Sequence, residues 1–227
     1  MSNRPERPGS DNNGLQGPGS RGMLIVVSSP SGGGKGTLIR RVLKSVPDIR
    51  YSVSYTTRAP RDGEVVGKDY FFVTVEEFRK MVDAGEFLEW AIVHDNLYGT
   101  TRAQVERELS HGNDIILEID VQGAENVRQL INDAVMVFVL PPSFEILCER
   151  LTIRGSEQPD DLALRLRNAC HEVKAYPNFE YIIINEDADR AGRQLAAIID
   201  AEKARRPRQE VEARRVLDTF TTSATCT

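Results

Sequence analysis

Residues Ser29-Pro30-Ser31-Gly32-Gly33-Gly34-Lys35-Gly36-Thr37 place three consecutive glycines and a lysine between the apolar run Met23 to Val27 and a stretch of helical spacing. Such a segment is suited to holding a polyphosphate. Glycines let the backbone curl with its N–H groups inward, the following helix offers its positive N-terminal end, and Lys35 adds a mobile cation. Against the pattern G-x-x-x-x-G-K-[ST], Ser29 stands at the first glycine and Gly36 at the hydroxyl position, leaving Thr37 as the nearest hydroxyl. A flexible Gly-rich turn with an incidental lysine is the plainer reading; the strand before and the helix after favour a nucleotide loop.

A second constellation lies in Thr56-Thr57-Arg58-Ala59-Pro60-Arg61-Asp62-Gly63-Glu64, where Arg58 and Arg61 share a loop stiffened by Pro60 and turned at Gly63. Two guanidinium forks so spaced suit a phosphate monoester. Tyr70 and Tyr98 supply phenolic donors without adding charge. The alternative is a solvated loop in which the arginines pair with Asp62 and Glu64. Arg150 and Arg154 lie one helical turn apart before Gly155, so their side chains share a face. His94, His111 and His171 have no spacing that suggests a metal triad or a proton relay, and receive no chemistry.

These groups need a scaffold, and 227 residues at 40% hydrophobic content allow one core domain with movable parts. Residues 1–21, rich in Gly, Pro, Ser, Asn and Arg, are expected to be a disordered tail. The expected strands are Met23 to Ser28, Tyr51 to Tyr55, Ile115 to Ile119, Ala134 to Leu140 and Tyr181 to Ile184. Between them fall helical patterns at Lys35 to Val46, Thr101 to His111, Gln122 to Asn132, Ser143 to Ile153, Asp160 to Ala175 and Asp187 to Ala204. Strands alternating with helices predict an α/β fold, a central parallel sheet in a three-layer α/β/α arrangement. Shorter β-like pieces, Asp69 to Val73 and Phe87 to Val93, flank a helix opened by the capping box at Thr74 and closed by Gly85, and predict an inserted mixed α/β subdomain with Trp90 in its core. Residues 205–227 form a polar C-terminal tail with a weak helical pattern at Val211 to Leu217.

The net charge of −5 argues against a general nucleic-acid binder. No stretch reaches the length of a membrane span, and no apolar signal-peptide core opens the chain. Cys148, Cys170 and Cys226 lie too far apart for a zinc or disulfide framework and are expected to be reduced, as in a cytoplasmic protein.

The segment Ser54 to Glu64, Ser-x-Thr-Thr-Arg-x-Pro-Arg-x-Gly-Glu, resembles the signature of the guanylate kinase family. Further matches follow in order: Gly67 to Val73, Glu86 to Ala91, Tyr98-Gly99-Thr100, Ile119 to Ala124, Pro141-Pro142-Ser143, Arg150 to Gly155, and Ile184-Asn185. The likeness covers roughly residues 22–204. It implies a P-loop kinase that moves the γ-phosphoryl group of ATP to GMP with Mg²⁺, built from a core, a GMP-binding subdomain at about 54–100 and a short helical lid at about 150–166.

By the same resemblance Ser29 to Thr37 and Asn185 hold ATP. Arg58, Arg61, Tyr70 and Tyr98 hold the GMP phosphate, while Ser54, Glu89, Thr100 and Asp120 attend the guanine. Lys35, Arg58, Arg150, Arg154 and Arg165 form the catalytic set. Guanine presents N1–H and an N2 amino group, from which an ionised Glu89 accepts; adenine turns a lone pair toward it. Magnesium is expected to be carried mainly by ATP oxygens and water, with Glu118 and Asp120 at the end of an apolar strand facing it. The oligomeric state is left open between monomer and homo-oligomer. A catalytically inactive interaction domain of the same fold is the rival, and the retained Lys35, Gly32 to Gly34, Arg58 and Arg61 speak against it.

Overall fold

Every residue of strand β1 (Leu24–Ser28) is buried, as a central strand covered on both faces requires. In the computed structural model, which describes residues 21–93, 95–153 and 159–221, β1 leads through the glycine loop into α1 (Lys35–Ser45). There follow β2 (Ile49–Tyr51), β3 (Tyr55–Thr56), β4 (Phe71–Phe72), α2 (Val75–Asp83), β5 (Phe87–Val93), β6 (Asn96–Thr101) and α3 (Arg102–Ser110). The chain continues through β7 (Asp114–Glu118), α4 (Val121–Leu130), β8 (Val135–Leu140), α5 (Phe144–Ile153), α6 (Pro159–Glu172), a 3-10 turn at Val173–Asn178, β9 (Tyr181–Ile184), α7 (Ala188–Lys203) and α8 (Arg206–Thr221).

The main sheet runs β2-β7-β1-β8-β9, all parallel. Alternation along β1 divides the core. Ile25 and Val27 pack with Leu38, Ile39 and Val42 of α1 and Leu195 and Ile199 of α7, while Leu24 and Val26 pack with Val105 and Leu109 of α3 and Ala124 and Val127 of α4. Because all strands point one way, the residues after β1, β7 and β9 meet at one edge, where such sheets bind ligands.

The inserted piece is a four-stranded sheet, β4-β3-β6-β5, with α2 beside it. Thr74 and Glu77 close the capping box, Glu77 N–H donating to Thr74 Oγ1 at 3.1 Å and Thr74 N–H to Glu77 Oε2 at 2.8 Å.

Two local expectations are corrected. The stretch Tyr51 to Tyr55 is two strands in two sheets: Tyr51 pairs with Ile116 in the main sheet, and Tyr55 with Phe71 and Gly99 in the other. Alternation marks extended chain but not the sheet it joins. Trp90 is 40% exposed, not core. A register shift between Phe87 and Glu89 turns Glu89 and Ala91 inward and Trp90 and Ile92 outward.

α8 extends well beyond the pattern at Val211 to Leu217, and none of its residues is buried, so its apolar signal is weak. Its base is held by buried Glu202, which accepts from Tyr181 Oη at 2.5 Å and Arg205 Nη1 at 3.2 Å, and by Arg208 Nη2 donating to Asp133 O at 2.9 Å. Among the described residues no helix is long and apolar enough to cross a membrane.

Candidate active site

The glycine loop is shaped by what packs on it. Gly34 has φ +91°, and a Cβ there would stand 2.4 Å from Asn185 Nδ2. Asn185, 4% exposed at the end of β9, donates through Nδ2 to Gly33 O at 3.0 Å and so fixes the last bend of the loop. No side chain caps α1 and no acid stands in its first turn, which leaves its positive end to an anion. Lys35 opens this helix and, among the described residues, makes no ion pair. Ser29 is buried, its Oγ donating to Pro30 O at 2.9 Å, and Thr37 Oγ1 accepts from Arg40 Nη2 at 3.3 Å. At Gly36 the neighbour is Glu118, whose Oε1 would lie 2.9 Å from a Cβ.

Helices α5 and α6 bring arginines to this loop. Arg150 Nη2 donates to Asn185 O at 2.8 Å, and Arg165 Nε donates to Ser31 Oγ at 3.1 Å. Glu172, also on α6, accepts from Ser31 N–H at 2.8 Å. Gly32 faces Leu147 and Leu151 of α5, with no room for a side chain between them. Arg154 lies outside the described residues, as does His94.

At the second sheet Arg58 is nearly enclosed. Its Nε donates to Tyr98 Oη at 3.2 Å, Nη1 to Ala59 O at 2.7 Å and Nη2 to Glu64 at 2.8 Å, and its Cζ stands 5.5 Å from the centre of the Tyr70 ring. Burial works against ionisation of both partners, but the Glu64–Arg58 bond, with the Arg61 N–H at 2.7 Å, holds Glu64 below the ordinary carboxylate range and Arg58 above its own. The Arg58–Glu64 pair is therefore present, while the Arg61 side chain stays exposed.

Nearby, Ser54 Oγ and Thr100 Oγ1 stand 3.5 Å apart, and Glu89 is 5% exposed. Burial pushes the Glu89 carboxyl up to about 7; hydrogen bonds from Thr100 oppose the rise and the charge of Asp120 adds to it. Asp120 caps α4, accepting from Gly123 N–H at 2.9 Å. A Cβ on Gly123 would stand 2.5 Å from Glu89 Oε2, so this glycine makes room for the acid.

Tyr70 lies beside Arg58. Burial and the negative charge of Glu118, beside the glycine loop, raise its phenol to about 12, and the nearby Arg58 guanidinium opposes them. From the sequence alone no role follows for Tyr51, Gly123 or Glu172. A glycine inside a helical pattern is itself a sign of close approach and marks Gly123; an aromatic at a strand end and an acid late in a helix carry no such mark.

Residues 21–202 match the sequence profile of the guanylate kinase family. The guanylate kinase of Symbiobacterium thermophilum is 50% identical over 185 residues, 82% of this chain and 88% of that protein. That of Caldanaerobacter subterraneus subsp. tengcongensis is 45% identical over 185 residues, 82% of this chain and 90% of the relative. The crystal structure of guanylate kinase from Anaplasma phagocytophilum superposes with a TM-score of 0.70 at 36% identity, covering 82% of this chain and 88% of its own. α8 lies beyond the matched span.

Proposed function

The chain belongs to the guanylate kinase family, and on that premise we propose that it transfers the γ-phosphoryl group of ATP to GMP, giving ADP and GDP. The observation that supports this reading best is the presence of two groups suited to phosphates, the uncapped N-terminus of α1 with Lys35 and the cluster of Arg58, Tyr70 and Tyr98. Two phosphate sites in one chain suit direct transfer between two nucleotides.

ATP would lie on the loop Ser29 to Thr37 with Lys35 on its outer phosphates and Asn185 near the base. Asn185 Oδ1 and Arg150 Nη1 are buried without a hydrogen-bond partner among the described residues, a deficit that a bound nucleotide would relieve. GMP would place its phosphate on Arg58, Arg61, Tyr70 and Tyr98 and its base against Ser54, Glu89 and Thr100, with Asp120 close by. The acceptor phosphate is already a nucleophile, so positioning and charge neutralisation suffice and no protein base is required. Arg150, Arg165 and, from the family likeness, Arg154 would gather over the transferring group as the lid segment closes and excludes water.

Magnesium, bound with ATP, neutralises phosphate charge and sets phosphate geometry. Hard oxygen donors suit it. Glu118 would offer a carboxylate at the loop and Thr37 a hydroxyl, beside the oxygens of ATP and water. The free Cys148 and Cys170 accord with a cytoplasmic setting.

The reading is tested by coupled assay of ADP formation from ATP with GMP, AMP, CMP and UMP in turn. GMP alone should support rapid turnover; equal turnover with AMP would overturn it. An interaction domain without catalysis would form no ADP with any of the four.

A further inference from the structure

At position 36 the backbone does not call for glycine. Six glycines among the described residues have positive φ, and Gly36 is not one of them. Space is what excludes a side chain: a Cβ would stand 2.9 Å from Glu118 Oε1 and 3.3 Å from Oε2. A carboxylate at the end of a flexible side chain could normally swing aside. Here it is tied. Tyr51 Oη donates to Glu118 Oε2 at 3.3 Å.

The strands explain the meeting. Tyr51 of β2 pairs with Ile116 of β7, and Glu118 lies two residues further along the same face, the face that packs on α1. Beyond Tyr51 the chain leaves the main sheet: Ser52 N–H makes a last bond to Ile116 O at 3.0 Å before β3 begins in the second sheet.

We propose that Tyr51 is the positioning residue for Glu118, fixing its carboxylate in the space left open at position 36 so that the magnesium-bearing end of the ATP phosphates meets an acid of set reach. The inference deepens the kinase reading and rests on it for the identity of the nucleotide. An acid beside phosphates repels them unless a cation lies between, so its presence at the loop makes sense only toward the metal or its waters. A phenol that orients such an acid acts as outer-shell partners do elsewhere, and loss of one typically weakens metal affinity about ten-fold or more. Residues 36, 51 and 118 therefore form one unit, in which neither the loop residue nor the acid can change size alone.

The test is calorimetric titration of the full chain with ADP, with and without Mg²⁺, a measurement that does not depend on the acceptor. Magnesium should tighten ADP binding in the wild type, and Tyr51→Phe should reduce that tightening by about ten-fold while ADP affinity without metal stays within about two-fold. Glu118→Gln should lose at least as much. Gly36→Ala should reproduce the Glu118→Gln loss, and Gly36→Ala combined with Glu118→Asp should recover a large part of it, because the shorter acid withdraws from the new methyl group. A packing role alone would lower the thermal midpoint of Tyr51→Phe and leave the magnesium effect intact. The proposal is overturned if Tyr51→Phe keeps the wild-type magnesium effect, or if the losses in the double variant simply add. A wild type that shows the magnesium effect but fails to phosphorylate GMP would instead sink the kinase reading.

Discussion

The Glu89 carboxylate occupies the space that a side chain on Gly123 would take, with only 2.5 Å between Glu89 Oε2 and an ideal Cβ. Gly123→Ala should therefore displace Glu89 from the guanine pocket. Alanine is favoured over glycine in a helix by up to about 1 kcal/mol, so the thermal midpoint should hold or rise. The kcat/KM for GMP should fall about ten-fold or more, as expected when a charged hydrogen-bond acceptor is misplaced. A variant with unaltered GMP kinetics would refute the close approach.

Glu89→Gln should erode discrimination against AMP, because the amide offers guanine one acceptor and one mismatched donor. Selectivity is read from kcat/KM with each nucleotide. An unchanged GMP-to-AMP ratio would remove Glu89 from base recognition.

The raised pKa of Glu89 predicts a pH dependence. Its carboxyl titrates at about 7 in the folded chain against an ordinary 4.5. Between those values the native state holds a proton that the unfolded state has released, so stability falls as pH rises through this window and levels off above it, by on the order of 3 kcal/mol in all. The thermal-midpoint advantage of wild type over Glu89→Gln should shrink from pH 5 to pH 8. GMP affinity should move the opposite way, tightening as Glu89 ionises, and the variant, which keeps the titration of the GMP phosphate, isolates that part.

Lys35→Ala should lower kcat by about 100-fold or more while stability stays within about 0.5 kcal/mol, since the side chain is partly exposed and makes no ion pair among the described residues. ADP production and a thermal melt on one preparation separate the two effects. Near-normal turnover would dismiss the loop as the ATP site.

Asn185→Ala should loosen the glycine loop by removing the bond to Gly33 O. An expected loss of about 1 kcal/mol of stability accompanies a several-fold rise in KM for ATP, with KM for GMP unmoved. Equal changes in both KM values would mean that Asn185 supports the fold at large.

The loop, the α/β alternation and the capped helix α2 were legible because each has a local cause: glycines where φ is positive, apolar runs where both faces are covered, a Thr–Glu pair three apart. What stayed hidden depends on distant partners. Nothing in Tyr51 to Tyr55 tells that the chain changes sheets after Tyr51, and only pairing with β6 reveals the bulge that turns Glu89 in and Trp90 out. Likewise the spacing of Arg58 suits a phosphate fork with Glu64 as the competing partner, and the chain makes that ion pair at a site that also gathers Tyr70 and Tyr98.

β1, the first strand among the described residues, lies at the centre of the main sheet between β7 and β8. A ribosome releasing this protein therefore exports its glycine loop long before either flanking strand exists, and the loop stays unframed until β7, β8 and Asn185 have been synthesised. Nucleotide capture is thereby deferred until those elements exist, and a chain cut short before them carries the motif without its cradle.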